Sequence, residues 1–515
     1  MTDLISISEA AACLRRGALT PVDLLQQCLE RIDRYEGRVR AWVVVDHDGA
    51  RRAARQCERD LAAGRDLGPL HGIPVGIKDI IDVAGHPTRA GSPLRQQHLA
   101  DRDAPLVEGL RRAGAVILGK TVTVEFACFD PPPTRNPWDP ELRHTPGGSS
   151  SGSAVAVALG MCLGALGTQT GGSLVRPASY CGISTCKPTF GRLCAEGVVP
   201  VSHHLDHPGP MARSVADLQI MLGCLPRANP LGPPDRQRVG AGQDVGAGQD
   251  VGAGLPTEPQ GRPEVSTAEG DLRSGGRPGR ETRAERRETR AERRETRAER
   301  RETGAEHDVP PPRLGLVEEF FMERAEPNVR EAVEVALDKL RGGGATIEPV
   351  GLPEWFDGIL DLHALVMAAE AAAYHREPFA AHRDQYGPMI ARLLDRGLSI
   401  AAVDYAGGLA RLRHVRRHAA EMLEGYDALI APATDTTAPP TLDTTGPNTF
   451  QAPWSCTGLP VVSMPCGLAG DGMPAAVQLV GRPDGEGPLL ALAQWCQRRL
   501  DFRDLPPLLE QGPTR

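Results

Sequence analysis

The chain has 515 residues, 40 % of them hydrophobic, enough to bury a large core in one big α/β domain or in two or three smaller ones. A formal net charge of -8 and only 4 % aromatic residues argue against a nucleic-acid partner, which calls for a basic face and stacking rings. The N-terminus MTDLISISEA has an early acid and neither a basic nor a long apolar run, so no secretory signal is expected, and twelve scattered cysteines without a CxxC pair suit a reducing, cytoplasmic setting.

In chain order, Pro21 to Tyr35 places Leu24, Leu25, Cys28, Leu29 and Ile32 on one helical face. In Gly72-Ile73-Pro74-Val75-Gly76-Ile77-Lys78-Asp79 a lysine directly follows an apolar, strand-like stretch. A lysine buried there must be paired or neutral. The plain alternative is a Lys78–Asp79 pair pointing to water. Ala115 to Leu118 reads as a buried strand after Ala113-Gly114. It lies within Gly114-Ala115-Val116-Ile117-Leu118-Gly119-Lys120-Thr121, which matches the phosphate-loop pattern GxxxxGK[ST] letter for letter. Ala, Val, Ile and Leu in its middle favour an extended strand over a loop whose N–H groups curl around an anion, so no nucleotide site is expected.

From Thr145 to Val175 no charged residue occurs. Gly and Ser interrupt the run, and no apolar stretch in it reaches the ~20 residues of a membrane span. A buried helix followed by a buried strand is expected, and no membrane association. Ser153 to Leu159 supplies the helix. Just ahead, Thr145-Pro146-Gly147-Gly148-Ser149-Ser150-Ser151-Gly152-Ser153 sets four serines at a helix start, where free N–H groups point outward. Gly167-Thr168-Gln169-Thr170-Gly171-Gly172-Ser173, followed by Arg176-Pro177-Ala178, presents a serine after two glycines. That arrangement suits an oxyanion hole. Alone, the first stretch also reads as a capping loop and the second as an ordinary turn. His203-His204-Leu205-Asp206-His207 offers three imidazoles and a carboxylate, but it lacks helical spacing and reads as a surface or site-lining loop before it reads as a zinc site.

The alternation of helix and strand over residues 1–225 favours an α/β fold with a mainly parallel sheet. Composition then changes across 226–312. Val239 to Gly254 repeats VGAGQD, and Arg280 to Arg300 repeats RETRAER with a period of seven. Alanine is the only apolar residue of the second repeat, so it has no seam to drive coiled-coil association. The segment reads as a solvated, disordered insertion, with a partner-binding arm as the alternative. Replacing residues 239–307 with a short Gly/Ser linker is expected to leave Tm and kcat/KM nearly unchanged, because loop length affects stability only weakly. A loss above about 2 kcal/mol would mean that the repeats pack on the domain. From Arg313 to the end at 515 the globular pattern returns. Leu314–Val317 reads as a strand and Asn328–Leu340 as an amphipathic helix ended by Gly342-Gly343-Gly344. Ala428–Ala431 and Val461–Met464 read as strands ending at prolines. Residues 1–225 and 313–515 are expected to form one domain around the insertion.

The three segments around Lys78, Ser149 and Ser173, in this order, resemble the amidase signature family, whose two serines share the 24-residue spacing from Ser149 to Ser173. Thr121–Ala127 (TVTVEFA), Leu205–Leu218 (LDHPGPMARSVADL), Gly458-Leu459-Pro460 and Gly472–Gln478 (GMPAAVQ) resemble further elements of that family. The resemblance skips about residues 226–312. It implies a single large α/β domain with a twisted mixed β-sheet flanked by helices. It also implies Ser173 as the nucleophile, and Ser149 bridging it to Lys78 through a cis peptide after Gly148. A neutral Lys78 would be the base, and N–H groups of Thr170, Gly171 and Gly172, with Ser173, the oxyanion donors. A serine hydroxyl needs such a base, and a desolvated lysine can serve. Arg176 is expected to support the loop after the nucleophile. No metal and no cofactor are expected.

Two residues depart from the family pattern: Gln169 stands where many members have Asp, and Ser151 where many have Gly. The leading expectation is a stand-alone amidase acting on a small carboxamide. The alternatives are the glutaminase subunit of a tRNA-dependent amidotransferase and a catalytically inactive scaffold. Gly172-Ser173-Leu174-Val175-Arg176-Pro177 departs from the GGSIRQPA run of the glutaminase subunit, and intact Lys78, Ser149 and Ser173 speak against a scaffold. A homodimer is left open.

Overall fold

The apolar runs of the sequence converge on one sheet. The computed structural model describes residues 4–228 and 310–511; most of the segment 226–312 marked by composition, residues 229–309, lies outside them. Among the described residues eleven strands form this sheet: β1 (Trp42–Val45), β2 (Pro74–Lys78), β3 (Val116–Thr121), β4 (Gly164–Gln169), β5 (Ser184–Lys187), β6 (His207–Ala212), β7 (Arg313–Leu316), β8 (Thr346–Pro349), β9 (Ala428–Pro432), β10 (Val461–Leu468) and β11 (Pro474–Val480). They lie in the order β1-β3-β2-β4-β6-β5-β10-β11-β9-β7-β8. β5 pairs with β10, with Val461 opposite Lys187, so strands from before and after the insertion share one sheet and one core.

The mainly parallel sheet expected from helix–strand alternation is corrected to a mixed one. β2 runs parallel to β3 and β4, and β7 runs parallel to β8 and β9. The other six pairings are antiparallel. A parallel return needs a crossover of a dozen or more residues, and the connection between β10 and β11, residues 469–473, is too short for one. The mixed sheet is the one that the family resemblance implies.

Helices cover the sheet where the sequence places apolar faces. Helix α1 (Pro21–Val39) starts at Thr20, whose hydroxyl accepts the N–H of Asp23, with proline at its first position. Leu24, Leu25, Cys28, Leu29 and Ile32 of the expected face are all buried. Helix α2 (Ser151–Ala158) packs on β2 and β4 and is buried on every side. Its Gly152 lies so close to the Ala41 carbonyl and the Val122 amide that a β-carbon would collide with both. Helix α3 (Val175–Tyr180) follows Ser173 and packs against β5, β10 and β11. Helix α4 (Pro327–Gly342) exceeds the expected helix by one or two residues at each end. Helix α5 (Ile359–His382) packs against helix α6 (Ala452–Thr457).

The phosphate-loop look-alike is strand: Val116–Thr121 is β3, and Lys120 is fully buried in it. The expected strand over Val461–Met464 continues through Pro465 to Leu468. A register shift between Pro465 and Gly467 accommodates the missing proline N–H. Among the described residues no helix is long and apolar enough to cross a membrane.

Candidate active site

Because β2 and β4 are parallel and Ile77 lies opposite Leu166, their C-terminal ends, Lys78 and Thr168-Gln169, reach the same edge. Lys78 is fully buried there. Its Nζ donates to Ser149 Oγ at 2.6 Å and to Thr168 Oγ1 at 2.8 Å. Burial pulls its pKa from the usual 10.5 to about 7, a shift opposed by Asp206 and Cys128 and assisted by Arg176. The alternative Lys78–Asp79 pair does not form. Asp79 pairs instead with buried Lys120, Oδ1 to Nζ, at 3.0 Å. Lys120 completes its bonding with the Pro87 carbonyl and Thr88 Oγ1. Lys78 is thus a buried amine bonded to hydroxyls instead of a carboxylate.

Ser149 follows a cis Gly148–Ser149 peptide bond. Arg176 grips the Gly148 carbonyl through Nη2 at 2.7 Å and Nε at 3.2 Å, and its Nη1 donates to the Gly446 carbonyl. The neighbouring Ser150 hydroxyl is bonded to both the amide and the carbonyl of Thr168, each at 3.3 Å, and the Ser150 N–H donates to the Ser173 carbonyl at 3.4 Å. These bonds lock the Ser-rich loop to the end of β4.

The stretch Thr170–Ser173 is held from four directions. Gln169 Oε1 accepts the N–H groups of Leu174 and Val175, both at 3.1 Å, while its Nε2 donates to Ser455 Oγ at 3.3 Å. Ser455, on α6, donates in turn to the Gly171 carbonyl at 3.3 Å. His363 of α5 lies 3.0 Å from the Thr170 carbonyl through Nε2. Antiparallel β4 and β6 set Gln169 opposite His207, which brings the next residue, Thr170, beside Asp206. The Thr170 hydroxyl donates to Asp206 Oδ1 at 2.6 Å, and Oδ2 accepts the amides of Val201 and Ser202. At Gly172 a β-carbon would sit 2.7 Å from Gln451 Oε1, so a larger residue would require the Gln451 side chain or the loop to shift.

Ser149, Thr170, Gly171, Gly172, Ser173 and Arg176 line one cavity of about 340 Å³, counting its open mouth. The structure thus brings together the residues picked out in the sequence, with Lys78 behind Ser149. The His203–His207 run is no loop throughout: His207 begins β6 and is buried, and His204 is paired with Glu370. Among the described residues no cluster of His, Cys, Asp or Glu is arranged to hold a metal. Sequence reading missed Thr168 as a partner of Lys78, Asp206 as a partner of Thr170, and His363 and Ser455 as supports. Gln169 stood out there only as a departure from the family pattern.

The sequence pattern of the Amidase family matches residues 23–239 and 283–490, which takes in both parts of the sheet. The chain belongs to the amidase signature family. The gap in the match, 240–282, falls inside the segment 226–312 and is narrower than it. Among relatives of this family, the chain is 34 % identical over 503 residues to a protein of Pseudomonas putida named amidase, covering 94 % of each. It is 32 % identical over 539 residues to a glutamyl-tRNA(Gln) amidotransferase subunit of Roseiflexus sp. strain RS-1, covering 98 % of each. Its fold is similar to that of the native peptide amidase from Stenotrophomonas maltophilia, with a TM-score of 0.74 and 27 % identity over 97 % of this chain and 98 % of that one. As a member of the amidase signature family the chain is a hydrolase acting on amide bonds.

Proposed function

We propose that this chain hydrolyses a carboxamide through Ser173, Ser149 and Lys78, by way of an acyl-enzyme. Ser173 Oγ attacks the amide carbon while its proton passes to Ser149 and the Ser149 proton to neutral Lys78. The N–H groups of Thr170, Gly171, Gly172 and Ser173 take the developing oxyanion. As the C–N bond breaks, the proton returns from Lys78 through Ser149 to the leaving nitrogen, releasing ammonia or an amine. Water then attacks the Ser173 ester with the same groups as base and acid, giving the carboxylic acid. Arg176 acts through Gly148, keeping the Ser149 peptide in place.

The observation that carries this reading is the contact between Lys78 and Ser149: a buried amine with no carboxylate attached, its pKa drawn to about 7, hydrogen-bonded to a serine at 2.6 Å. A fluorophosphonate probe, which reacts with activated serines, is expected to label the protein on the peptide containing Ser173. Labelling that persists unchanged in Ser173→Ala would overturn the assignment.

A second reading, the glutaminase subunit of a tRNA-dependent amidotransferase, is favoured by the full-length similarity to the Roseiflexus protein. Turnover of simple amides by the purified chain alone supports the first reading. Activity that appears only with added amidotransferase partners supports the second.

A further inference from the structure

The cavity in front of Ser173 has walls of a definite chemical kind. Val124, Ala127, Phe129 and Met367 make part of them apolar, and Ser149, Thr170, Ser173, Thr445 and Asn448 supply neutral polar groups. Among the described residues that line it, none is an aspartate or glutamate. The one ionised side chain is Arg176, a cation already engaged by the carbonyls of Gly148 and Gly446. Asp206, behind Thr170, is held by the Thr170 hydroxyl and the amides of Val201 and Ser202, and is not part of the lining.

A cation entering such a space loses hydration and meets no carboxylate on the lining, which disfavours its binding. The Arg176 guanidinium in the same wall adds repulsion, reduced by the buried Asp435 carboxylate that acts on it. One ring, Phe129, falls short of the aromatic cage that recognises quaternary ammonium groups.

We propose that the substrate is a small carboxamide whose acyl group carries no ammonium, so that amino-acid amides and glutamine are excluded by the charge of the cavity wall. This rests on the reading of Ser173 as the nucleophile. It also separates the two functional readings, because a glutaminase must admit an acyl chain that carries an ammonium group on the carbon two methylenes from the amide carbon.

The test is an isosteric pair. 3,3-Dimethylbutanamide and betaine amide have the same shape, a tert-butyl group in one replaced by a trimethylammonium in the other, and the charge of the second is independent of pH. With the purified full-length chain, kcat/KM for the neutral amide is expected to exceed that for betaine amide by about 100-fold or more. L-glutamine is expected to be as poor as betaine amide. The electron-withdrawing ammonium activates the carbonyl of betaine amide, so intrinsic reactivity favours the opposite result. Equal turnover of the pair, or a preference for betaine amide or glutamine, would overturn the inference while leaving Ser173 in place. If neither amide of the pair reacts although Ser173 is labelled by the fluorophosphonate, the substrate class is wrong and the nucleophile stands. Loss of labelling as well would remove the reading on which both rest.

Discussion

Replacing Ser173 by alanine is expected to lower kcat by roughly 10³- to 10⁶-fold, with KM changing far less. The hydroxyl forms the bond to the acyl carbon, so its removal leaves only binding and oxyanion donors to act on a water molecule. Ser149→Ala is expected to be severe as well, because the proton route from Ser173 to Lys78 Nζ passes through Ser149 Oγ, 2.6 Å from that nitrogen. The informative measurement is the double variant. Residues that act as a unit are strongly non-additive, so Ser149→Ala/Ser173→Ala should be no slower than Ser173→Ala alone. Single-turnover kinetics with purified variants decides this. Multiplicative losses in the double variant would mean that the two serines act independently, and the relay would be abandoned.

The second large effect belongs to Lys78. In water a lysine titrates near 10.4 and is almost wholly charged at neutral pH. Here burial brings it to about 7, which corresponds to roughly 5 kcal/mol against the ammonium form. The active species is the deprotonated amine, so activity must rise with pH. kcat/KM is expected to climb about tenfold per pH unit below that pKa, to bend near 7 and to stay level into mild alkali. Lys78→Ala should lose most of the rate together with this limb. Lys78→Arg should not restore it, because guanidinium does not give up its proton in proteins. The independence of Lys78 from Asp79 matters for the size of the shift, since a carboxylate bonded to the amine would hold it charged; Lys120 removes that carboxylate by pairing with it at 3.0 Å. Near-native rates with an unchanged pH profile in Lys78→Arg would sink the assignment of lysine as base.

How much of this was legible beforehand follows from the range over which each signal acts. Lys78 stood out because an apolar strand leads straight into it, and the serines because glycines surround them; these are local patterns of a few residues. The family resemblance then supplied roles that no local pattern contains, including the mixed sheet. Partners set by register or by distant helices were not legible. Asp206 meets Thr170 only because β6 enters antiparallel beside β4, and in the sequence it stood in a run of histidines that reads as a surface or site-lining loop. His363 and Ser455 come from α5 and α6, 190 or more residues further along the chain from the carbonyls they support, and nothing in their own neighbourhoods marks them. Boundaries failed where backbone chemistry was subtle: β10 tolerates Pro465 by shifting register, so a proline that reads as a stop is not one.

The grip of Gln169 on the turn after Ser173 has a consequence for acid conditions. A carboxylate in that position would lose acceptor strength on taking up a proton, and the turn would loosen as the medium acidifies. The carboxamide oxygen of Gln169 accepts the amides of Leu174 and Val175 in the same way at any pH that the fold survives. The remaining acid that fastens this stretch is Asp206, whose pKa burial pushes up to about 6 against the hydrogen bonds of Thr170, Val201 and Ser202. A raised carboxyl pKa means that protonation relieves a buried charge, so acid does not unfold the site through Asp206; it weakens the acceptors that Thr170, Val201 and Ser202 use. Among the contacts that hold the reactive turn, Gln169 is therefore blind to protons and Asp206 is not. Moderate acid is expected to slacken the Thr170 side while Gln169 keeps its hold on the amides of Leu174 and Val175.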